Sequence, residues 1–356
     1  SSHSTNNYGI IPISLPDIMV FKIYREIAYL YTIDDVGRWR LIMRPNKYAI
    51  VIVTYNRRQL LEECVEKAYR QTTPAQSIII INNASTDGTR AYLKELAAES
   101  TIYDIINLSQ NIGGAGGFSK GIERAVQKDV ESVLLIDDDA MLEEDYMEKL
   151  LKARETHSDY KAFAGTVRAN DTIDTFHRRN VSRQGLFFRN CEKEKYNQPY
   201  FACEIASFCG MLVDTALIKQ IGLPHAEYFI WHDDAEYSLR IRKYSKFMVV
   251  TDAILNHKTK PVSQTGKRRY DWREYYAVRN RILMVREHGN LCDRIVNDID
   301  LFINVIFRNW LFSMLRKDGY DWNYERRMVR EAVRNANSDQ LENVIIKKNL
   351  ASGIKL

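Results

Sequence analysis

Three consecutive carboxylates, Asp137-Asp138-Asp139, follow the apolar run Val133-Leu134-Leu135-Ile136. Such a run reads as a fully buried strand. Open α/β sheets place their ligands at the carboxyl ends of such strands. Side chains alternate along a strand, so Asp137 and Asp139 are expected to point one way and Asp138 the other. Two hard oxygen donors at that spacing suit Mg2+ or Mn2+ bridging a diphosphate. The competing reading is an acidic loop or the start of the next helix, where carboxylates favour the dipole.

A second acidic cluster lies in Tyr228-Phe229-Ile230-Trp231-His232-Asp233-Asp234-Ala235-Glu236. Aromatics precede carboxylates at the start of a helix pattern, so these acids could simply cap the helix. A carboxylate beside aromatic walls is also how a general base for a hydroxyl is built. On that reading Asp233 is the cap and Asp234 the base. His257 follows a strand-like run, Val249–Leu255. A lone histidine is more often structural, but the aspartate pair needs a third protein ligand and imidazole suits Mn2+.

The elements that must position these residues alternate. Ala49–Thr54, Ser77–Asn82, Ile102–Asn107 and Val133–Ile136 read as strands; Arg57–Arg70, Thr89–Ala98 and Ser119–Lys128 have helical spacing. Strands alternating with helices predict a mostly parallel sheet with right-handed crossovers. The first strand ends in Thr54-Tyr55-Asn56-Arg57 and the second in Asn82-Asn83-Ala84-Ser85-Thr86-Asp87-Gly88. Such loops suit a nucleoside, with Asn83 and Asp87 bonding base and ribose, although turn residues at strand ends are ordinary. After the third strand comes Asn111-Ile112-Gly113-Gly114-Ala115-Gly116-Gly117-Phe118-Ser119-Lys120-Gly121, a glycine-rich loop that lets backbone approach a ligand and opens a helix toward it. It is not the dinucleotide fingerprint, which follows the first strand and pairs with an acid about twenty positions on. Beyond the aspartates, 161–215 holds short strands, Ala162–Val167 and Ser207–Val213, around a long functional loop over 170–198. Asp233–Lys243 reads as a helix, Phe247–Thr251 as a strand, and 271–356 as mostly helical. Residues 8–47 read as a small β-rich extension. The expected organisation is therefore 1–47 extension, 48–270 catalytic domain and 271–356 helical region.

Composition narrows the partners. The chain has 356 residues, 45% hydrophobic and 27% charged, which is globular. Its net charge of +5 is uneven: 258–286 holds nine Lys/Arg against two acids, leaving −2 elsewhere. A local basic patch suits a polyanionic ligand or an acidic lipid surface, not general nucleic-acid binding; a solvated basic face is the plain alternative. Lys267, Arg268 and Arg269, after Gly266, are expected to form a flap over the diphosphate. Five cysteines (64, 191, 203, 209 and 292) show no zinc spacing, so free thiols in a reducing cytoplasm are expected, at most at the inner face of the plasma membrane. No signal peptide is visible and no segment reaches the roughly 18 apolar residues of a spanning helix. Leu301–Leu315 carries Phe302, Ile306, Trp310 and Phe312 on an amphipathic pattern, which suits a core or subunit contact or, alternatively, a membrane interface.

In combination, Val53-Thr54-Tyr55-Asn56-Arg57, Asn82 to Thr89, Asp137-Asp138-Asp139, Trp231-His232-Asp233-Asp234-Ala235-Glu236 and Arg273-Glu274-Tyr275-Tyr276-Ala277-Val278-Arg279-Asn280 resemble the inverting, GT-A-fold nucleotide-sugar glycosyltransferases of the second family. The Gly-Gly-Ala-Gly-Gly-Phe-Ser-Lys-Gly loop further resembles bacterial galactofuranosyltransferases of cell-wall and surface polysaccharide synthesis. That resemblance implies an α/β, GT-A (Rossmann-like) fold, UDP-galactofuranose as donor, and a lipid-linked glycan acceptor met at a membrane. It implies Asp137, Asp139 and His257 as ligands of Mn2+ or Mg2+ and Asp234 as base. Donor contacts are expected from Thr54, Asn56, Arg57, Asn83, Asp87, Asn111, Gly114, Lys120 and Asp138, and acceptor contacts from Trp231, His232 and Asp233. Only about 47 residues precede the first regular strand, so single addition is expected at least as readily as processive polymerisation. Homo-oligomerisation would use the C-terminal helices. Rhamnosyltransferases that use a dTDP-sugar share most of these motifs. An inactive sugar-binding module and a nucleotidyltransferase stand as the readings from other classes. The latter would carry its glycine-rich loop after the first strand.

Overall fold

The computed structural model describes residues 29–33, 39–43, 46–182, 184–258, 272–315 and 322–338. The chain divides into two compact units, Ser1–Asn46 and Lys47–Leu356. In the first, β1 (Tyr29–Ile33) pairs antiparallel with β2 (Trp39–Met43). The remainder of the β-rich extension expected over 8–47 lies outside the described residues, as do Lys267, Arg268 and Arg269.

The second unit begins with strict alternation: β3 (Asn46–Thr54), α1 (Arg58–Tyr69), β4 (Ala75–Asn82), α2 (Thr89–Glu99), β5 (Tyr103–Asn107), α3 (Gly113–Val126) and β6 (Ser132–Asp137). It continues with β7 (Ala140–Leu142), α4 (Tyr146–Thr156), β8 (Ala162–Ala169), β9 (Thr172–Ile173), β10 (Arg178–Val181), β11 (Phe188–Asn190), β12 (Tyr200–Cys203), β13 (Ile205–Ala206), β14 (Met211–Asp214), α5 (Thr215–Ile221), α6 (Asp233–Arg242) and β15 (Phe247–His257). Helices α7 (Arg273–His288), α8 (Leu291–Asp300), α9 (Arg308–Leu315) and α10 (Trp322–Ala336) follow, with a π-helical segment, Leu301–Phe307, between α8 and α9.

The central sheet runs β12-β15-β8-β14-β6-β3-β4-β5. β3 lies parallel to β6, β4 to β5 and β8 to β15, while β14 enters antiparallel between β6 and β8. The mostly parallel α/β sheet expected from the alternation is therefore present. Its strands read as continuous apolar runs because both faces are covered. Tyr48, Ile50 and Ile52 of β3 enter one core with α1, α2 and α4; Ala49, Val51 and Val53 enter the other with α3, α5 and α6.

Three expectations change. The stretch 170–198 is not a single loop: β10 and β11 within it, with β13, form a separate three-stranded sheet. The two strand candidates near Val249 are one strand, β15, with a register shift between Val250 and Ile254. The glycine run Gly113–Gly117 is not a loop but the first turn of α3. Apart from Gly114, those glycines serve close packing. A Cβ on Gly117 would lie 2.5 Å from Val53 Cγ1, and one on Gly116 would lie 2.8 Å from Ile112 Cδ1. Gly113, at φ +78°, would meet the Phe229 carbonyl oxygen at 2.1 Å. Around Gly114 there is open space.

A core role for the Leu301–Leu315 segment is likewise not what the structure shows. Phe302, Ile306, Phe307 and Trp310 remain exposed, and with α10 they line an apolar groove of about 700 Å3. Among the described residues no helix is long and apolar enough to cross a membrane, and all five cysteines are free.

Candidate active site

Parallel pairing of Val53 with Asp137 brings the carboxyl ends of β3 and β6 to one edge. The strand ends at Asp137, so the triplet turns instead of alternating. Asp138 and Asp139 consequently share one partner: Arg57 Nη1 lies 3.0 Å from Asp138 Oδ1 and 2.7 Å from Asp139 Oδ2. Thr54 donates its hydroxyl to Asp138 Oδ2 at 2.8 Å. Burial, then the Asp139 and Asp138 charges, push Asp137 up to about 7. Burial also raises Asp138, to about 6, against the opposing pull of Arg57.

His257 reaches this cluster through backbone pairing. It sits opposite Ala140 in the antiparallel β15–β7 ladder, and the next residue's N–H bonds the Asp139 carbonyl at 2.9 Å. That register leaves His257 Nε2 3.2 Å from Asp139 Oδ1. Burial works against ionising Asp139, but His257 and Arg57 outweigh it and hold the carboxyl below its ordinary range. Burial also disfavours charge on His257, yet Asp139 and then Asp137 leave its pKa raised. Asp139 Oδ1 is buried without a hydrogen bond of proper geometry, because Arg57 takes the other oxygen. Two carboxylates crowded at a strand end, one with an orphaned oxygen beside an imidazole, fit a divalent cation taking oxygen and nitrogen donors.

The second acidic cluster opens α6. Its N-cap residue is His232, with no side-chain cap bond, so Asp233 is not the expected cap. Asp234 Oδ1 accepts from the Ala235 N–H at 2.6 Å, and its Oδ2 lies 3.8 Å from Arg179 Nη2. Burial and the Asp234 charge raise Asp233 well above the ordinary carboxylate range, and Asp137 adds to that field. Trp231 is 38% exposed at the lip. His232 is pushed down to about 3 by burial, then by Arg281 and Arg179.

Strain marks the approach to α6. Phe229, Trp231 and His232 all have φ between 63° and 66°, a region that costs non-glycine residues about 1–3 kcal/mol each. Asn280 holds them there. Its amide donates to the carbonyls of Tyr228 at 2.8 Å, Ile230 at 3.0 Å and Trp231 at 2.8 Å. The neighbouring Arg279 donates to the Glu227 carbonyl. The Arg279-Asn280 pair of the sequence motif is thus a staple on the loop that presents Asp234. The basic segment is in part structural for the same reason: Arg281 donates to the Leu186 carbonyl at 2.7 Å and Arg286 to that of Ala336 at 2.5 Å.

The remaining residues expected on the donor side stand at the same sheet edge but mostly bond the protein. Asn83 donates to the Gly113 carbonyl and accepts from Ile112 N–H. Asn111 accepts from Gly113 N–H, and Asn56, at φ 53°, accepts from Thr86 N–H. Asp87 accepts from the N–H groups of Arg58 and Thr89 and from the Thr89 hydroxyl. Lys120 pairs with Glu123 on the helix surface.

Sequence reasoning missed β10. His177 packs edge-on against His257 with ring centroids 5.1 Å apart, and Arg179 meets Asp234. One short stretch, the 3-10 turn Thr175–His177 running into β10, therefore touches both clusters. Arg178 between them is fully buried and donates to the carbonyls of Gly165, His177 and Cys209. Arg179 lies between the rings of Phe176 and Phe188, 4.8 and 5.1 Å from their centroids. The alternation of His177 and Arg179 was the available signal, inside a stretch whose polarity reads as loop.

Asn280→Leu is expected to lower stability by about 2 kcal/mol or more, since it leaves buried carbonyls without a donor. Urea unfolding measures the loss, and hydrogen exchange across 227–235 should accelerate. Unchanged exchange there would remove Asn280 as the staple.

The profile described as Glycosyl transferase family 2 matches residues 49–222, which contain the aspartate triplet and stop short of Asp234 and His257. The dTDP-rhamnosyl transferase RfbF of Shigella flexneri is 25% identical over 285 residues, 77% of this chain and 87% of that protein. The galactofuranosyltransferase GlfT1 of Mycolicibacterium smegmatis is 25% identical over 198 residues, 54% of this chain and 64% of that protein. The chain spans about half the length of other curated relatives it matches, 45% and 46% for two from Bacillus subtilis. Among solved structures, that of GalNAc-T7 with UDP, GalNAc and Mn2+ aligns with a TM-score of 0.56 at 11% identity, covering 91% of this chain and 60% of that one. Residues 49–222 therefore resemble glycosyl transferase family 2 domains, on a GT-A-like fold.

Proposed function

We propose that this chain is an inverting, divalent-metal-dependent glycosyltransferase that moves galactofuranose from UDP-galactofuranose to a hydroxyl of a lipid-linked bacterial glycan. The observation that carries this is a pair of acidic clusters, Asp137, Asp139 and His257 at the sheet edge and Asp234 at the start of α6, joined through the turn into β10, where His177 packs on His257 and Arg179 meets Asp234. Donor phosphates would lie against the first set and the acceptor hydroxyl against the second.

Mn2+ or Mg2+, when bound by Asp137, Asp139 and His257, supplies Lewis-acid neutralisation of charge on the departing nucleoside diphosphate. The protein does the rest. Arg57 fixes Asp138 and Asp139. Asn83 and Asn111 fix the first turn of α3, whose Gly114 leaves space for a ligand. The Asp234 carboxylate takes the acceptor proton as the hydroxyl oxygen attacks the anomeric carbon from the face opposite the leaving group. Trp231 offers a ring for an acceptor sugar to stack on. The donor diphosphate leaves, and the configuration inverts without a covalent sugar–enzyme intermediate.

Rhamnosyl transfer from a dTDP-sugar is the second reading, favoured by the long match to RfbF. The glycine-rich first turn of α3 favours galactofuranose through the sequence resemblance. A purely binding module is disfavoured by the presence of Asp137, Asp139, Asp234 and His257 together. Membrane contact at the inner leaflet is supported by the groove that Phe302, Ile306, Phe307 and Trp310 line beside Arg326, Arg330 and Arg334. Apolar side chains beside arginines match an anionic bilayer surface.

Asp234→Asn should retain donor binding and lose about 10²–10⁴-fold in turnover, the usual worth of a general base; near-native turnover would remove Asp234 from the chemistry. Incubation with a panel of UDP- and dTDP-sugars should release nucleoside diphosphate from UDP-galactofuranose with Mn2+ and not with EDTA. Release from dTDP-rhamnose alone would transfer the proposal to that sugar, and full turnover in EDTA would exclude the metal. In flotation, the protein should rise with anionic vesicles and not with neutral ones; failure to rise with either counts against membrane contact.

A further inference from the structure

Two residues beyond Asp234, on the other side of α6, lies a titratable cluster that the transfer chemistry does not use. Glu236 is fully buried. Around it stand His225, from the segment before α6, and Glu287 and His288, from the end of α7. Residues 234 and 236 are about 200° apart around a helix, so the cluster and the candidate base face opposite ways.

The donor groups close a ring. His225 Nε2 lies 3.7 Å from Glu236 Oε1, which lies 2.9 Å from His288 Nε2. His288 Nε2 lies 3.7 Å from Glu287 Oε1, and Glu287 Oε2 returns to His225 Nε2 at 3.3 Å. Tetrahedral zinc with bonds of about 2.0–2.1 Å sets its ligand atoms about 3.3 Å apart. Single donor atoms of His225, Glu236 and Glu287 all lie within 4.8 Å of one another, near that size, and His288 Nε2 adjoins Glu236 Oε1. His225 Nε2 and His288 Nδ1 are buried without hydrogen-bond partners, the first aimed into the ring. The surrounding bonds orient the donors as metal ligands are oriented. His225 Nδ1 lies 3.2 Å from Glu227 Oε1, leaving Nε2 to face inward. Glu236 Oε2 is held by Arg240 at 2.8 Å, leaving Oε1 inward. A carboxylate behind a histidine fixes its tautomer and orientation toward a metal in this way.

We propose that His225, Glu236 and Glu287, with the adjoining His288, form a second metal site, for a borderline transition cation of the Zn2+ class. Two imidazoles and two carboxylates are donors for such an ion, not for the oxygen-seeking Mg2+. The bound ion would tie the loop before α6 to the ends of α6 and α7, and so stiffen the helix that carries Asp234. It is a structural clamp, separate from the ion proposed at Asp137 and Asp139.

The test uses the whole chain and Zn2+ alone, read by equilibrium dialysis and by thermal melting. Asp139→Asn should keep one tightly held equivalent of zinc and its rise in melting temperature. His225→Gln and Glu287→Gln, both at partly exposed positions, should each lose that equivalent or weaken it at least tenfold, with unchanged far-ultraviolet circular dichroism. Co2+ in place of zinc should give intense visible absorption of a four-coordinate ion, lost in the same two variants. Zinc stoichiometry and affinity unaffected by both His225→Gln and Glu287→Gln would overturn the proposal, as would absence of a tight equivalent in Asp139→Asn.

Discussion

The packing of three adjacent carboxylates into the carboxyl edge of a buried sheet governs everything around it. A charge withdrawn from water must be paired or neutralised. Here Arg57 and Thr54 meet two of the three side chains, His257 meets Asp139 from the far side, and Asp137 has its affinity for a proton raised instead. The surroundings are specific because each partner arrives on a different element. Arg57 comes from the N-cap of α1 and His257 from the end of β15. The site is thus a point where distant parts of the chain must converge for the sheet edge to be stable.

The facing half depends on stored backbone strain. Three non-glycine residues with positive φ turn the chain sharply into α6. Such conformations persist only where surrounding contacts over-determine them. Asn280 and Arg279 supply those contacts from α7, and Gly113 allows the Phe229 carbonyl to come close enough to accept from Ala115 N–H. The loop carrying Trp231 and Asp234 is therefore clamped between α3 and α7. The turn into β10 then couples the halves, with His177 just before the strand against one and Arg179 within it against the other. The family profile covers most of the sheet and the triplet, whereas β15 with His257, the loop before Asp234 and its clamp lie beyond residue 222.

Much of this was legible in the chain. β3 to β6 and their helices follow directly from apolar runs alternating with helical spacing, because a parallel sheet covered on both faces requires continuous hydrophobic strands. Strand ends fell where expected where turn residues are distinct, as at Thr54 and Asn82, and the starts lay two or three residues earlier. The acidic clusters and His257 stood out because carboxylates at strand and helix ends are few and ordered. The segment 170–198 misread as loop for a physical reason. Its strands are short, carry arginines and pair with partners remote in sequence, so neither periodicity nor hydrophobicity reveals them. The glycines misread because flexibility and close packing require the same residue.

The sequence by itself determined the order of elements, the two-faced core and the identities of the chemical groups, since these rest on local periodicity and side-chain type. Only the tertiary structure decided which groups meet. Arg57 joins Asp138 to Asp139, Asn280 staples the loop before Asp234, and Arg178 seats β10 between the clusters. Those meetings depend on strand register and helix docking across separations of about fifty to eighty residues for the first two and on burial against main-chain carbonyls for the third. Spacing along a chain carries no record of such distances in space.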